Sequence, residues 1–439
     1  MTAADFAWAV GIEDTFIGQP HRRTGRTLDE YELQQHYRFW RDDLERIASL
    51  GVRRMRYGIP WYRVNPAPGR FDWSWTDEVI PYLVDDLGIE PIVDLMHYGC
   101  PLWLEEAFVD PRYPEAVAEY AARFADRYRR LLRFYTPLNE PIVNAWFCGR
   151  SGAWPPYLRG RVGYVRVLLA IVRGMARTIE ALRRVRPDVV IVQVEATARI
   201  LADPGLEDRY VTDIAQQFLP TDLLLGRVDE AHPLRPWLLQ HRATVDELDA
   251  LSESSRAAGI AVDVMGINFY PHLSTARLTG TPEAPIRRHT YASADDLISV
   301  LRDYHEHFGV PVMITETSDL ARVSRRERWL GTSVDAVRQA REQGVPVVGY
   351  TWFPVYSHLS WDYRAGRRPV DAYWCHMGLW ELHDDGSGVL VRQPTRLVDR
   401  YRQLVAAGAS AVGPLTGGGT SRPEGTSRPV DTSRPEQAA

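Results

Sequence analysis

The chain has 439 residues, 45% of them apolar and 25% charged, an ordinary folded-protein composition that excludes global disorder. Its 52 basic and 57 acidic side chains leave a net charge of -5, which gives no electrostatic reason to expect nucleic acid or a membrane surface as partner. No apolar run approaches the ~20 residues that span a bilayer. The start, MTAADFAWAVGIE, lacks the basic and apolar regions of a secretion signal. Cys100, Cys148 and Cys375 are scattered and without metal-ligand spacing, so a reducing, cytoplasmic location is expected. Every basic residue is Arg, which excludes a Schiff-base, P-loop or general-base lysine. The 14 Trp and 21 Tyr exceed what a plain core requires and suit a site offering flat apolar faces with polar edges.

In chain order, β-branched runs predict strands at 6–12, 52–58, 91–97, 131–139, 189–196, 262–270, 311–317 and 345–353. Amphipathic helical stretches lie between them, such as YRFWRDDLERIASLG with Gly51 as its stop. The charges of that helix, Asp43 among them, read as a solvated face. LGIEPIVDL, RPDVVIVQV, FGVPVMITE and QGVPVVGYT share one helix–turn–strand grammar. Continuous apolar strands alternating with helices predict a parallel sheet covered on both faces, and eight of them predict a closed (β/α)₈ barrel, an α/β fold. An open doubly wound sheet is the alternative, but no GxGxxG follows the first strand. The intervals at roughly 140–185 and 197–260 are expected to be insertions above the C-terminal rim. The barrel is placed at 1–408. The segment 409–439, with TSRP at Thr420, Thr426 and Thr432, is expected to be a disordered tail.

Chemistry in such a barrel is built at the C-terminal ends of the strands. Those ends carry Glu13 and Asp14, Arg56, His97, Asn139 and Glu140, Glu195, Asn268 and Tyr270, Glu316, and Trp352. Core strands do not normally end on carboxylates, because unpaired buried charge is costly. Glu140 and Glu316, after the fourth and seventh strands, face each other across the barrel mouth. Two carboxylates among Trp, Tyr, Asn and His, without a metal cluster, match the needs of glycoside hydrolysis.

These residues lie in recognisable contexts. Thr136-Pro137-Leu138-Asn139-Glu140-Pro141 resembles the T-x-N-E-P motif of glycoside hydrolase family 1, the β-glucosidase-like retaining glycosidases, with one residue inserted or shifted. Ile314-Thr315-Glu316-Thr317 is similar to the family's I-T-E-N-G, and Gly266-Ile267-Asn268-Phe269-Tyr270 to its G-I-N-Y-Y. Arg56 with Tyr57-Gly58-Ile59-Pro60-Trp61, Gly88-Ile89-Glu90-Pro91 leading to His97, and Gly349-Tyr350-Thr351-Trp352 resemble its second, third and eighth strands. The resemblance is collinear over about residues 5–400.

It implies a small-molecule glycoside or oligosaccharide substrate and no metal or organic cofactor. Glu140 is implied as acid/base and Glu316 as nucleophile, the latter supported by Arg56 and Tyr270. Asn139 would meet a sugar hydroxyl, His97 and Asn268 would bind substrate, and Trp352 would form an apolar floor. Two departures concern sugar recognition. Where the family has S-A-Y-Q, this chain reads Gly11-Ile12-Glu13-Asp14-Thr15-Phe16, and where it has N-F-E-W the chain has His358-Leu359-Ser360-Trp361. The cleavage machinery is retained and the glycone pocket altered, so the glycone stays open. Glu13, Asp14 and Glu195 have no role under the family pattern, Glu195 being expected at the surface or behind the site. A transglycosidase using the same intermediate and a non-catalytic carbohydrate-binding protein are the alternatives.

Overall fold

The computed structural model describes residues 6–415. Its eight parallel strands close on themselves: β1 Ala7–Gly11, β2 Arg54–Gly58, β3 Glu90–Asp94, β4 Phe134–Thr136, β5 Val190–Ala196, β6 Val264–Asn268, β7 Val312–Thr317 and β8 Val347–Trp352. Each strand pairs with its neighbours in sequence, and β1 pairs with both β2 and β8. Closure excludes the open sheet. All eight expected strands are present, with β3 starting one residue early.

Alternation along the strands separates two apolar regions. Ala9, Ile92, Phe134, Val192, Val264 and Met313 belong to the cluster that fills the bore. Residues of opposite parity, such as Trp8, Val10 and Ile191, join the larger core beneath the helices. Helix Ala294–Phe308 shows how sequence sets an element. Ser293 and Asp296 form a reciprocal capping box, Leu297, Leu301, Tyr304 and Phe308 are buried, and Gly309 takes φ 73° to end it.

Three expectations are corrected. Within 140–185, Gly160–Val185 is one continuous helix lying against helix Tyr113–Arg127, so only the chain before it forms a rim insertion. Asp43 is buried, not solvated. It accepts from His36 Nδ1 at 2.9 Å and from Arg392 Nε at 2.7 Å and Nη2 at 2.9 Å, and although burial opposes ionisation, these partners hold its carboxyl below the usual range. The helical spacing was compatible with a solvated face; the distant Arg392 makes it an internal ion pair. The boundary at 408/409 also moves. Gly408–Val412 form a short 3₁₀ helix, Trp8 Nε1 donates to Gly408 O at 2.9 Å, and Val412 is buried. The TSRP repeats lie outside the described residues. Among the described residues no helix is long and apolar enough to cross a membrane.

Candidate active site

A cavity of about 620 Å³ is lined by Glu13, His97, Glu140, Asn268, Tyr270 and Glu316, among others. Each functional side chain reaches it for a local reason. On β7, Met313 belongs to the bore, so strict alternation would turn residue 316 outward. A register irregularity between Ile314 and Glu316 pairs Glu316 with Asn268 and turns it inward. Glu140 follows β4 with φ 49° at the start of the short helix Pro141–Asn144. That left-handed backbone costs ~1–3 kcal/mol for a non-glycine residue. It is held by Glu140 N donating to Val194 O at 3.1 Å and Asn144 Nδ2 donating to Glu140 O at 3.0 Å.

Arg56 is fully buried and organises the floor. Its Nη1 donates to Glu316 Oε1, and its Nη2 to Asp94 Oδ2 at 2.6 Å and Asn139 Oδ1 at 2.9 Å. Tyr270 donates to Glu316 Oε2 at 2.7 Å. Glu140 accepts from Tyr98 through Oε2 and from Asn268 Nδ2 through Oε1 at 2.9 Å. Thr315 Oγ1 donates to Asn268 Oδ1 at 2.7 Å, which fixes which end of that amide faces Glu140. Burial pushes Glu316 up to about 8; Arg56 opposes this and the charge of Glu140 adds to it. The permanent charge of Arg56 touches Glu316 and not Glu140, which favours the ionised form of Glu316.

Behind this pair, His97 Nδ1 lies 2.6 Å from Asp14 Oδ1, and its Nε2 is 3.1 Å from Asn139 Nδ2. Burial opposes a charge on this ring, but the carboxylates of Asp14 and Asp94 beside it hold His97 well above the usual histidine range. Burial raises Asp14 to about 6 against the pull of His97. Gly58 is required for this approach, because a Cβ there would stand 2.2 Å from Asp14 Oδ2.

Glu140, Glu316, Tyr270, Asn268 and His97 line one cavity, with Arg56 directly beneath them. Three residues differ. Asn139 is fully buried, and its amide is committed to Arg56, Asn268 at 3.3 Å, His97 and Tyr98 at 3.2 Å. Meeting a sugar hydroxyl would require exchanging one of these bonds. Trp352 is not a cavity floor. Pairing of Val10 with Trp352 turns it to the helix-facing side, where it is fully buried and donates to Met377 O at 3.2 Å. The aromatic wall is instead Tyr98, Phe147, Trp154 and Trp361, with Phe147 stacked on Trp154 at 4.4 Å and Trp361 edge-on to Trp154 at 5.1 Å. Glu195 is buried, away from the surface, and faces helix Glu207–Leu224, where Thr221 Oγ1 donates to it at 2.7 Å. Burial raises its proton affinity to about 8.

Asp94, Tyr98, Trp154 and Trp361 were missed from sequence. Asp94 ends β3 and so carried the same strand-end signal; the aromatics come from loops without periodicity. Among the described residues, two side-chain groups have ligand-type spacing for a metal. In one, Asp14–Asp94–His97, Asp94 is bound by Arg56 and Asp14 lies against His97; in the other, His376–Glu381–His383, Glu381 is bound by Arg326.

The family model of Glycosyl hydrolase family 1 matches residues 8–290. The chain is 26% identical over 416 residues to thermostable β-glucosidase B of Thermobispora bispora, covering 82% of this chain and 80% of that protein. It is 25% identical over 366 residues to β-glucosidase A of Thermotoga maritima, covering 76% and 80%. The β-glucosidase structure from Thermotoga maritima in complex with deoxynojirimycin superposes with a TM-score of 0.75 at 20% identity, covering 91% of this chain and 97% of that one.

Proposed function

The chain belongs to glycosyl hydrolase family 1 and is a β-glucosidase-like glycoside hydrolase; from that premise we propose that it is a retaining β-glycosidase with Glu316 as nucleophile and Glu140 as acid/base. The observation that carries the reading is the unequal support of two carboxyls in one cavity. Glu316 receives a permanent cation and a phenol hydroxyl, Arg56 and Tyr270, whereas the side-chain donors to Glu140 among the described residues are the neutral Tyr98 and Asn268.

In the first step Glu316 attacks the anomeric carbon. The C–O bond breaks, its electron pair goes to the leaving oxygen, and Glu140 delivers the proton to that oxygen. In the second, water attacks the same carbon and gives a proton to Glu140, and the ester electron pair returns to Glu316. The aromatic wall of Phe147, Trp154 and Trp361 offers flat faces to sugar or aglycone rings. The three unpaired cysteines fit a reducing, cytoplasmic setting.

The test separates the carboxyls by role. Glu316→Ala should abolish turnover on every glycoside, and azide should restore it with formation of an inverted α-azide. Glu140→Ala should spare formation of the intermediate from dinitrophenyl glycosides, with azide giving a β-glycosyl azide. Near-native rates in both variants would refute the mechanism. Native protein that binds an iminosugar but cleaves no glycoside would favour the non-catalytic alternative, and sugar transfer to added acceptors in place of water would favour the transglycosidase.

A further inference from the structure

Outside the cavity, three side chains converge that the proposed chemistry does not use. The short strand Trp380–Asp384 pairs antiparallel with Leu390–Pro394. Trp380 and Leu382 are buried on one face of it, so Glu381 and His383 share the other. The chain before the strand brings His376 beside His383, with the two rings 5.1 Å apart. One ligand-type atom from each of His376, Glu381 and His383 lies within 4.8 Å of those of the other two. His383 Nε2 is 3.4 Å from Glu381 Oε2. Two donors bound tetrahedrally to one zinc ion at ~2.0–2.1 Å stand about 3.3–3.4 Å apart, so this pair has the spacing of ligands.

The surroundings hold these groups in place. Ser357 Oγ accepts from Leu382 N at 3.0 Å and lies 2.8 Å from His376 Nδ1, the kind of outer partner that orients a metal-binding imidazole. Arg326, fully buried on helix Val323–Glu342, donates to Gly378 O at 2.7 Å and to Glu381 Oε1. One oxygen of Glu381 is thereby fixed, and Oε2 is left toward His383. His383 is half-exposed, which opens the cluster to ions and water. Two imidazoles and a carboxylate with an open fourth position are a donor set for zinc and its first-row neighbours, whereas Mg²⁺ and Ca²⁺ prefer oxygen ligands throughout. The guanidinium of Arg326 opposes a cation and weakens Glu381 as a donor. Binding is therefore weaker than in closed structural sites.

We propose that His376, Glu381 and His383 form an accessory site for one divalent transition-metal ion of the zinc class, separate from the two glutamates that carry the proposed cleavage. His376 stands between Cys375 and Met377, and Ser357 precedes His358; Cys375, Met377 and His358 line the cavity. An ion held by these three ligands ties the segment 376–383 together behind that wall and stabilises the fold.

The test uses the full, untagged chain, stripped of metal with a chelator that is then removed. Zn²⁺ titrated by calorimetry should bind at one equivalent with a Kd on the order of 10 μM. At about 100 times that Kd, Zn²⁺ should raise the melting temperature by about 2–4 °C, and Mg²⁺ at the same concentration should not move it. His383→Gln changes a half-exposed side chain, so its metal-free melting temperature should stay native while its Zn²⁺ affinity falls at least about tenfold. His376→Gln should weaken Zn²⁺ binding by a similar factor. A Kd above about 1 mM, or an equal melting shift with Mg²⁺, would overturn the site. One-equivalent binding that both variants leave within about threefold of native would place the ion elsewhere and overturn it too. Each of these results leaves the glycosidase reading intact.

Discussion

Replacing Tyr270 by Phe removes one oxygen and keeps the ring. The hydroxyl it deletes donates to Glu316 Oε2 at 2.7 Å, and that oxygen has no second side-chain donor among the described residues. A hydrogen bond to a charged group contributes ~1.5–3 kcal/mol. Tyr270 is only half-buried and lines the cavity, so water can partly replace the hydroxyl, leaving about 1–2 kcal/mol. The bond favours the ionised form of Glu316, so its loss raises the proton affinity of a carboxyl that burial already lifts to about 8. At 1.36 kcal/mol per unit, the acidic limb of the kcat/KM profile should move up by about one pH unit. The plateau should fall about tenfold. The assay is a pH–rate profile on an aryl glycoside, native against variant, with melting curves to show that the fold is kept. An acidic limb that stays in place or moves down, with kcat/KM within about twofold of native, would refute the assignment of Tyr270 to the nucleophile.

Glu195 and the end of the chain give two further outcomes. Because the folded-state value of Glu195 is raised from 4.5 to about 8, its contribution to stability is complete below about pH 4.5 and is lost as pH rises toward 8. Glu195→Gln should therefore melt close to native at pH 5 and above it at pH 8, the difference growing by about 1.4 kcal/mol per pH unit across that window; parallel curves at all pH values would show that this carboxyl carries no proton. Removing 416–439 should leave the melting temperature unchanged, as that segment offers little apolar surface to bury. Ending the chain after Ala407 should cost about 2–4 kcal/mol through Val412 burial and the Trp8–Gly408 bond, readable by urea denaturation.

The barrel was legible because its strands are continuous apolar runs in a repeated helix–turn–strand grammar, and burial on both faces demands that pattern. The two glutamates were legible because carboxylates at strand ends contradict it. What a strand-end position does not state is which way the side chain faces. Glu195, Trp352 and Glu316 all end strands. Glu195 pairs in register with Ile267 and so faces the helices, and Trp352 does the same opposite Val10. Glu316 would have followed them, but the irregularity before it on β7 sets it opposite Asn268 and turns it to the cavity.

Asp43 shows the same limit on a helix. Its spacing permitted a solvated face, and Arg392, 349 residues away in the chain, made it a buried ion pair. Sequence by itself determined the kinds of residue at the ends of the strands, because local pattern and burial dictate them. Register, and contacts between residues far apart in the chain, were decided only by closing the barrel. Closure brought Arg56 under Glu316 and stood Tyr98 against Glu140.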